Sequence, residues 1–326
     1  MIIIRKWAIL VIALLVVIIT LMVIYIYKSN TLGTIDSEHN YESVVDVEEV
    51  IKEEQIAEEI ESASVEEEAV FTPEIIRVKE SYTIAILGLD TRADNYIGRS
   101  DMMLILHVNH SKKQMVFMSF MRDLRVFIEG HGHTKLGHAY AYGREILTLD
   151  TFEQNFGIST RDYITLNFED LVEIVDIIGG FELEINDAEA RVMSDFETSG
   201  TYLMNGKQIL EYSRIRNIAG GDFDRTMRQR KIVKKMLDSV DGKSDEEILR
   251  TVGLIYPLLQ TNLDIDEIYE QMIVYENSDE NYELTEYRFP DDNFSEVMID
   301  GIYYLKVNDW EVLTEKIRKI LEGTFN

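Results

Sequence analysis

The sequence predicts an α/β layer fold preceded by one N-terminal transmembrane helix. From about residue 78 onward, apolar runs typical of strands alternate with amphipathic stretches typical of helices, which is the pattern of a sheet covered by helices. The 326 residues are 46% hydrophobic, which is enough for a large core. A separate apolar run near the N-terminus is long enough to cross a bilayer.

The N-terminal run WAILVIALLVVIITLMVIYIY covers residues 7–27 and has aromatic residues at both ends, as a membrane-interface belt has. Arg5 and Lys6 precede the run and only Lys28 follows it closely, so the charge bias keeps residues 1–6 in the cytoplasm. The run is too long for the apolar core of a cleaved signal peptide. We therefore expect an uncleaved signal-anchor that crosses the cell membrane once and places the remaining chain outside. A buried helix of a soluble protein is the alternative.

Residues 28–77 are expected to form an acidic extracytoplasmic stalk. Between residues 36 and 68 there are fourteen acidic residues against one lysine, and like charges favour an extended, solvated segment. Binding to a basic partner or to cations is the alternative interpretation. The segment ends at Thr72-Pro73, and residues 78–326 are expected to form one folded domain.

The composition excludes several classes of protein. The formal net charge is -28 at pH 7 and the pI is about 4.5, which argues against a general nucleic-acid binder. The absence of cysteine excludes disulfides, Cys-ligated zinc and iron-sulfur sites. Because the chain as a whole is acidic, any site for an anion must be a local group of basic residues.

Hydrophobic periodicity predicts the main elements of this domain. The predicted strands are 82–89, 102–109, 114–121, 163–168 and 181–185. The predicted helices are 146–156, 169–178, 207–215 and 224–240. A further helix after Leu263, a strand at YRFP and a closing helix WEVLTEKIRKIL complete the domain.

Two carboxylates are expected at one edge of the sheet. The first strand ends in GLDTRADNYIGRSD, which puts Asp90 at a strand end and Asp101 at the start of the next strand. Mg²⁺ commonly takes one or two carboxylates and completes its octahedron with water and phosphate oxygens. The alternative is that both carboxylates cap turns or pair with Arg92 and Arg99.

Basic residues follow at three places in this acidic chain. Arg122, in the tripeptide MRD at the end of the third strand, could form two hydrogen bonds to a phosphate. Lys135 lies in GHGHTKLGHAYAYG, whose histidines lack the spacing of a zinc site. The stretch RIRNIAGGDFDRTMRQR, residues 214–230, contains five arginines.

In that stretch, Arg214 and Arg216 would point the same way on an extended segment. Arg225, Arg228 and Gln229 would share one helical face. A salt-bridged surface helix is the alternative.

Taken in order, several blocks resemble the signature of the LytR-CpsA-Psr family. These blocks are GLDTR…GRSDMM, MRD, KLGHAYAYG, DYITLNFEDLVEIVDIIGG, LMNGKQILEYSRIR and GDFDRTMRQR, with weaker similarity in TNLDIDEIYEQ and YRFPDD. The resemblance implies a central mixed β-sheet sandwiched by helices, with a hydrophobic pocket for a polyprenyl chain. The helical face of Phe168, Leu171, Val172, Val175 and Ile178 could line that pocket, although ordinary core packing is the main expectation for each residue.

The resemblance also implies roles for individual residues. Asp90 and Asp101 are the expected ligands of Mg²⁺, with Mn²⁺ as an alternative. The residues expected to bind the donor pyrophosphate are Arg92, Arg99, Arg122, Lys135, Arg214, Arg216, Arg225 and Gln229. The expected catalytic residues are Arg122, Asp101 and Asp222, the two carboxylates being candidates for the proton acceptor. Arg228 and Arg230 remain unassigned.

The implied function is that of a membrane-anchored phosphotransferase in a Gram-positive type of envelope. Its donor would be an undecaprenyl-pyrophosphate-linked glycopolymer of the teichoic acid or capsular polysaccharide type, and its acceptor would be the 6-hydroxyl of a muramic acid residue in peptidoglycan. The partners would thus be the donor, peptidoglycan and the membrane, and no nucleic acid. Two alternatives remain open, namely a polyprenyl-pyrophosphate hydrolase and a non-catalytic, membrane-tethered regulator that binds wall polymers.

Overall fold

A six-stranded sheet lies at the centre of the part of the chain that the computed structural model describes, residues 70–90, 98–215, 221–238, 245–263 and 282–325. The strands are β1 (Ser81–Leu89), β2 (Ser100–Asn109), β3 (Gln114–Phe120), β4 (Arg125–Ile128), β5 (Gly132–Lys135), β6 (Asp162–Leu166), β7 (Phe181–Ile185), β8 (Gly200–Met204), β9 (Gln260–Thr261), β10 (Glu283–Phe289), β11 (Phe294–Ile299) and β12 (Ile302–Val307).

The strand order across the sheet is β10, β3, β2, β1, β6 and β9. β1 pairs antiparallel with β2 and parallel with β6, while β3 pairs antiparallel with β2 and parallel with β10. The expectation of a central mixed sheet is thus confirmed. Three short hairpins, β4–β5, β7–β8 and β11–β12, stand outside this sheet.

Helices pack on both faces of the sheet. They are α1 (His138–Phe156), α2 (Phe168–Ile177), α3 (Asp187–Ala190), α4 (Gly206–Ser213), α5 (Gly221–Asp238), α6 (Asp245–Ile255), a 3₁₀ turn (Tyr256–Leu258) and α7 (Trp310–Leu321). Side chains of β1 alternate between the faces: Ala85 and Leu87 join the core with α1 and α7, whereas Ile84 and Ile86 face a cavity.

Two predicted boundaries need correction. The strand expected over 163–168 stops at Leu166, because Asn167 caps α2 by accepting hydrogen bonds from the amides of Glu169 and Asp170. The helix expected over 146–156 begins earlier, at His138, and is kinked where Gly143 and Arg144 leave helical geometry. Arg144 has φ 56° and ψ -147°, a conformation that suits glycine better than arginine.

The end of α7 is fixed to β2 by buried polar side chains. The carbonyl of Leu321 accepts a hydrogen bond from Asn109 at 3.0 Å, and His107 Nε2 lies 3.2 Å from the same oxygen. His107 Nδ1 lies 2.8 Å from the hydroxyl of Thr83, so the neutral ring has a partner at each nitrogen. Burial lowers the pKa of His107 to about 4.

The packed structure includes residues before Val78. The Phe71 ring stacks on Trp310 with centroids 6.1 Å apart, and Ile76 forms an isolated bridge with Ile158. Among the described residues there is no helix with both the length and the apolar character needed to cross a bilayer. The expected anchor and most of the expected stalk lie outside the described residues.

Candidate active site

The site lies where β1 ends, β2 begins and β3 ends. These three strand ends meet because β2 runs antiparallel to both of its neighbours, β1 and β3. Gly137, just before α1, joins two of them, since its amide donates to Arg122 O at 2.9 Å and its carbonyl accepts from Ser100 N at 3.2 Å. A Cβ at this glycine would lie 2.9 Å from Ser100 O and 3.1 Å from Arg122 Cβ. The close approach therefore requires glycine.

A β-bulge determines the position of Asp101. Leu89 pairs with Ser100 and Gly88 pairs with Met102, so Asp101 is an extra residue in β2 with no partner position in β1. Bulges change the direction of a side chain relative to regular pairing. Here the bulged residue contributes to the lining of the cavity beneath the sheet.

The Asp101 carboxylate is shared by two arginines from distant parts of the chain. Arg122 Nη1 donates to Oδ1 at 2.7 Å and to Oδ2 at 2.8 Å, and Arg225 Nη1 donates to Oδ2 at 3.2 Å. The side chains of Asp101 and Arg225 are only 8% and 3% exposed. Two guanidinium groups around one carboxylate give this group a net positive charge, which suits it to bind an anion.

Asp123 extends this network to Lys135. One carboxylate oxygen of Asp123 lies 3.4 Å from Arg122 Nε, and the other lies 3.3 Å from Lys135 Nζ. The Asp123 carbonyl accepts a hydrogen bond from Leu305 N at 2.9 Å, which fixes its backbone against β12. Lys135 is therefore part of the site, but its charge already has a carboxylate partner. The adjacent letters RD were the only signal for Asp123 in the sequence.

Arg214 packs against Phe168, an aromatic residue that lines the cavity. Its guanidinium carbon is 4.7 Å from the centroid of Phe168, a cation–π distance. Its φ of -99° and ψ of -1° make it the C-cap of α4. The expectation that Arg214 stands on an extended segment is therefore wrong, because the helical geometry of α4 continues through it.

An apolar cavity lies between the sheet and helices α2, α5 and α6. It contains about 1170 Å³ of empty space, a figure that includes its open mouth. Most of its lining is aliphatic or aromatic. The polar residues of the lining are Asp101, Asn167, Ser213 and Gln229. A long apolar ligand with a charged end fits this arrangement.

The predicted face of α2 is divided between cavity and core. Phe168 and Leu171 line the cavity, so for these two residues the alternative of pocket lining holds. Val175 is fully buried in the cluster formed with β7, and Ile178 packs against that cluster, as ordinary core residues do. Val172 lines a separate outer groove beside α4.

The remaining predicted residues lie close to this mouth or outside the described residues. The Asp90 amide donates to Arg99 O at 3.2 Å, so both residues lie at the same end of the β1–β2 pair as Asp101. Arg92 and Arg216 are outside the described residues, as is the side chain of Asp222, whose backbone belongs to the first turn of α5.

The chemistry of the available donors fits magnesium. Asp90 and Asp101 offer hard carboxylate oxygens at one edge, the type of donor that Mg²⁺ takes when water and phosphate oxygens complete its shell. Across the described ranges there is no group of three or more histidine or carboxylate side chains of the kind that would hold a metal alone.

A family model described as the LytR_cpsA_psr family matches residues 41–320. The chain belongs to the LytR-CpsA-Psr family. Among its relatives is a protein of Enterococcus faecalis that is 33% identical over 256 residues, covering 76% of this chain and 81% of the relative. Another, from Halalkalibacterium halodurans, is 30% identical and covers 73% of this chain and 77% of the relative. Both relatives carry the name polyisoprenyl-teichoic acid–peptidoglycan teichoic acid transferase TagU.

Solved structures share the fold of this LytR-CpsA-Psr chain. A LytR-CPS2A-psr family protein, YwtF (TagT), with bound octaprenyl pyrophosphate lipid has a TM-score of 0.59 at 22% identity and covers 80% of this chain and 95% of its own. The protein gbs0355 of Streptococcus agalactiae has a TM-score of 0.64 at 24% identity, with coverages of 74% and 88%. The predicted family and its central mixed sheet are thereby confirmed.

Proposed function

We propose that this chain transfers an anionic glycopolymer of the teichoic acid type from a polyprenyl-pyrophosphate carrier to peptidoglycan. One observation carries the proposal: Asp101 lines an apolar cavity, and its carboxylate holds Arg122 and Arg225 in a group of net positive charge. The names of the relatives as teichoic acid transferases support the same reaction.

The donor is proposed to bind with its lipid in the cavity and its pyrophosphate at the arginines. Burying an apolar chain in this aliphatic cavity is favourable at about 25 cal/mol per Å² of apolar surface. The guanidinium groups of Arg122, Arg214 and Arg225 then face the headgroup, with Gln229 and Lys135 beside them. An undecaprenyl carrier is the specific form that we propose, and the related protein with bound octaprenyl pyrophosphate supports this class of lipid.

The reaction is a phosphoryl transfer. A peptidoglycan hydroxyl, proposed to be the 6-hydroxyl of muramic acid, attacks the glycan-side phosphorus. A new phosphodiester forms, the P–O–P bond breaks, and polyprenyl phosphate leaves with the negative charge. Catalysis of this kind needs positioning and charge stabilisation more than covalent chemistry. The arginines hold the pyrophosphate and stabilise the leaving group, while Mg²⁺ at Asp90 and Asp101 would neutralise further charge on the phosphates.

The hydroxyl proton must go to a base. Asp101 accepts hydrogen bonds from Arg122 and Arg225, so taking a proton would cost it those charged interactions. We therefore favour Asp222, in the first turn of α5, as the proton acceptor, with Asp101 holding the arginines and the metal.

We also propose that residues 7–27 anchor the chain in the membrane and that the folded domain is extracytoplasmic. A donor whose carrier lipid lies in the bilayer can reach the cavity only if the domain stays close to the membrane surface. The apolar run and the basic residues before it support this topology.

Transfer by the purified full chain in detergent tests the proposal. The assay follows the polyprenyl phosphate released from a lipid-linked teichoic acid donor, with and without peptidoglycan fragments and with and without Mg²⁺. Arg122→Ala should lower the transfer rate by about 10²–10³-fold, the usual cost of one donor to developing charge. The matched control is Arg161→Ala, which breaks an exposed pair with Asp150 and should leave the rate unchanged.

The acceptor dependence separates the competing functions. Release that needs peptidoglycan supports transfer, whereas equal release without it means that the chain is a hydrolase. Binding of the donor without any release would indicate a non-catalytic regulator. Unchanged transfer by Arg122→Ala would remove the assigned site.

A further inference from the structure

We propose that Arg228 is a positioning residue for donor binding, because it holds the backbone at Ile215, directly after Arg214. This inference rests on the proposed function and adds a residue to its site. Arg228 would not touch the donor. It would act through the carbonyl of Ile215.

Arg228 is buried, and its guanidinium group contacts two polar partners. It is 1% exposed, and its Nη2 donates to Ile215 O at 2.5 Å while its Nη1 lies 3.5 Å from Glu189 Oε1. Burying an arginine carries a large desolvation cost unless the charge is paired and hydrogen-bonded. The pairing with Glu189 offsets that cost, and the second hydrogen bond holds a backbone carbonyl in one place.

Glu189 is itself held rigidly. Its other oxygen accepts from the amide of Asn186 at 3.1 Å, and the Asn186 side chain accepts from the Glu189 amide at 3.0 Å, which together form a capping box at α3. Burial raises the pKa of the Tyr212 phenol on α4, and the negative charge of Glu189 adds to the effect. Arg228 therefore links Ile215 to a fixed point.

The held carbonyl lies where regular structure has ended. α4 ends at Ser213, Arg214 is its C-cap, and the Ile215 amide is 3.4 Å from Tyr212 O, a long hydrogen bond. Helix geometry therefore constrains this segment only weakly. The short hydrogen bond from Arg228 supplies the missing constraint.

Helix α5 thereby contacts both Asp101 and the backbone that follows Arg214. Arg225 and Arg228 are one turn apart on the same helical face, and Arg225 reaches Asp101 on β2 while Arg228 reaches Ile215. A shift of about 1 Å in a binding group can cost on the order of 10²-fold in rate. A single helix that fixes both groups would keep the spacing of the arginines matched to a pyrophosphate.

Equilibrium binding of octaprenyl pyrophosphate and of octaprenol to the full chain in detergent tests this role. The two ligands share the lipid and differ in the headgroup. Arg228→Met should weaken pyrophosphate binding by about tenfold or more and change octaprenol binding by less than about twofold. Arg228→Lys should lose less, because lysine keeps the charge and can donate to one of the two partners.

Arg230→Lys is the matched control. Arg230 lies on the same helix and pairs with a different carboxylate, Glu286, at 3.5 Å. This variant should bind both ligands as the wild type does. The inference is overturned if Arg228→Met weakens binding of both ligands, because that marks general destabilisation. It is also overturned if Arg228→Met weakens binding of neither ligand, because the carbonyl of Ile215 is then irrelevant to binding.

A double-mutant cycle tests the route of the effect. If Arg228 acts through the backbone of Arg214 and Ile215, Arg228→Lys should weaken binding less in an Arg214→Ala background than in the wild type. Full additivity would overturn the route, and it can be measured even if Arg228→Met does not fold. Failure of the proposed function looks different: the wild type itself would then bind octaprenyl pyrophosphate no better than octaprenol.

Discussion

Replacing Asp101 by asparagine should separate the stability of the site from its chemistry. The amide has nearly the volume of the carboxylate but no charge, so the change leaves packing intact. In the wild type the carboxylate accepts three hydrogen bonds from the two guanidinium groups at 2.7–3.2 Å. In the variant, Arg122 and Arg225 face each other across a neutral group.

The expected cost follows from burial. The Arg225 side chain is 3% exposed, so water cannot replace the lost carboxylate. Removing one partner of a buried ion pair costs about 3–5 kcal/mol. At about 2–4 °C per kcal/mol for a domain of this size, Tm should fall by roughly 6–20 °C. An anion that binds both arginines would restore the missing charge, so inorganic pyrophosphate should raise Tm more in the variant than in the wild type.

Thermal unfolding of the full chain in detergent, without divalent ions and with increasing pyrophosphate, measures both effects. Asp150→Asn is the control, because its pair with Arg161 is exposed and should contribute less than about 1 kcal/mol. If Asp101→Asn unfolds at the wild-type temperature, or if pyrophosphate stabilises both proteins equally, Asp101 does not neutralise these arginines. Transfer should be lost in Asp101→Asn, since the proposed metal would lose a ligand.

Three further changes test other parts of the structure. Burial lowers the pKa of His107 from 6.5 to about 4, so the unfolded chain takes up the proton first as pH falls. About 3 kcal/mol of the stability present above pH 6.5 should therefore be lost by pH 4. Denaturant unfolding across this pH range should show a smaller loss of stability in His107→Gln than in the wild type. Val233→Trp should fill the cavity that Val233 lines. In the same binding assay this should weaken binding of octaprenyl pyrophosphate about tenfold or more and leave binding of the shorter geranyl pyrophosphate unchanged. Gly137→Ala should slow transfer because its Cβ would lie 2.9 Å from Ser100 O, whereas Gly253→Ala, with no atom within 4 Å of its Cβ, should not change the rate.

Periodicity predicted several elements closely but missed α6, β11 and β12. β1, β3 and β7, together with α2 and α7, agree with the predicted segments to within about two residues. The hairpin β4–β5 was missed because its strands have four residues each, too few for a clear alternation. The start of α1 was missed because Gly143 interrupts the helical pattern, and the chain resumes a helix on both sides of the kink.

The sequence predicted which charged residues belong to the site but not which of them form ion pairs with each other. Sequence offered Arg92 and Arg99 as partners for Asp101, since they are near in the chain. The structure instead gives it Arg122 and Arg225, which are 21 and 124 positions away. Such pairs depend on strand order and on the bulge in β2, which no local pattern encodes. Arg228 remained unassigned for the same reason, because its partners lie on α3 and after α4.

The pairing explains how a chain of net charge -28 keeps buried arginines without a ligand. Arg122 and Arg225 share Asp101, Lys135 has Asp123, and Arg228 has Glu189. A phosphate that enters this site competes with Asp101 for the arginines, so part of the free energy gained by binding the headgroup is lost in displacing that carboxylate. The apolar cavity can offset that loss, because each buried methylene of a lipid contributes about 0.8 kcal/mol. Inorganic pyrophosphate should therefore bind the wild type far more weakly than octaprenyl pyrophosphate does, and the difference should shrink in Asp101→Asn, where no carboxylate competes for the arginines.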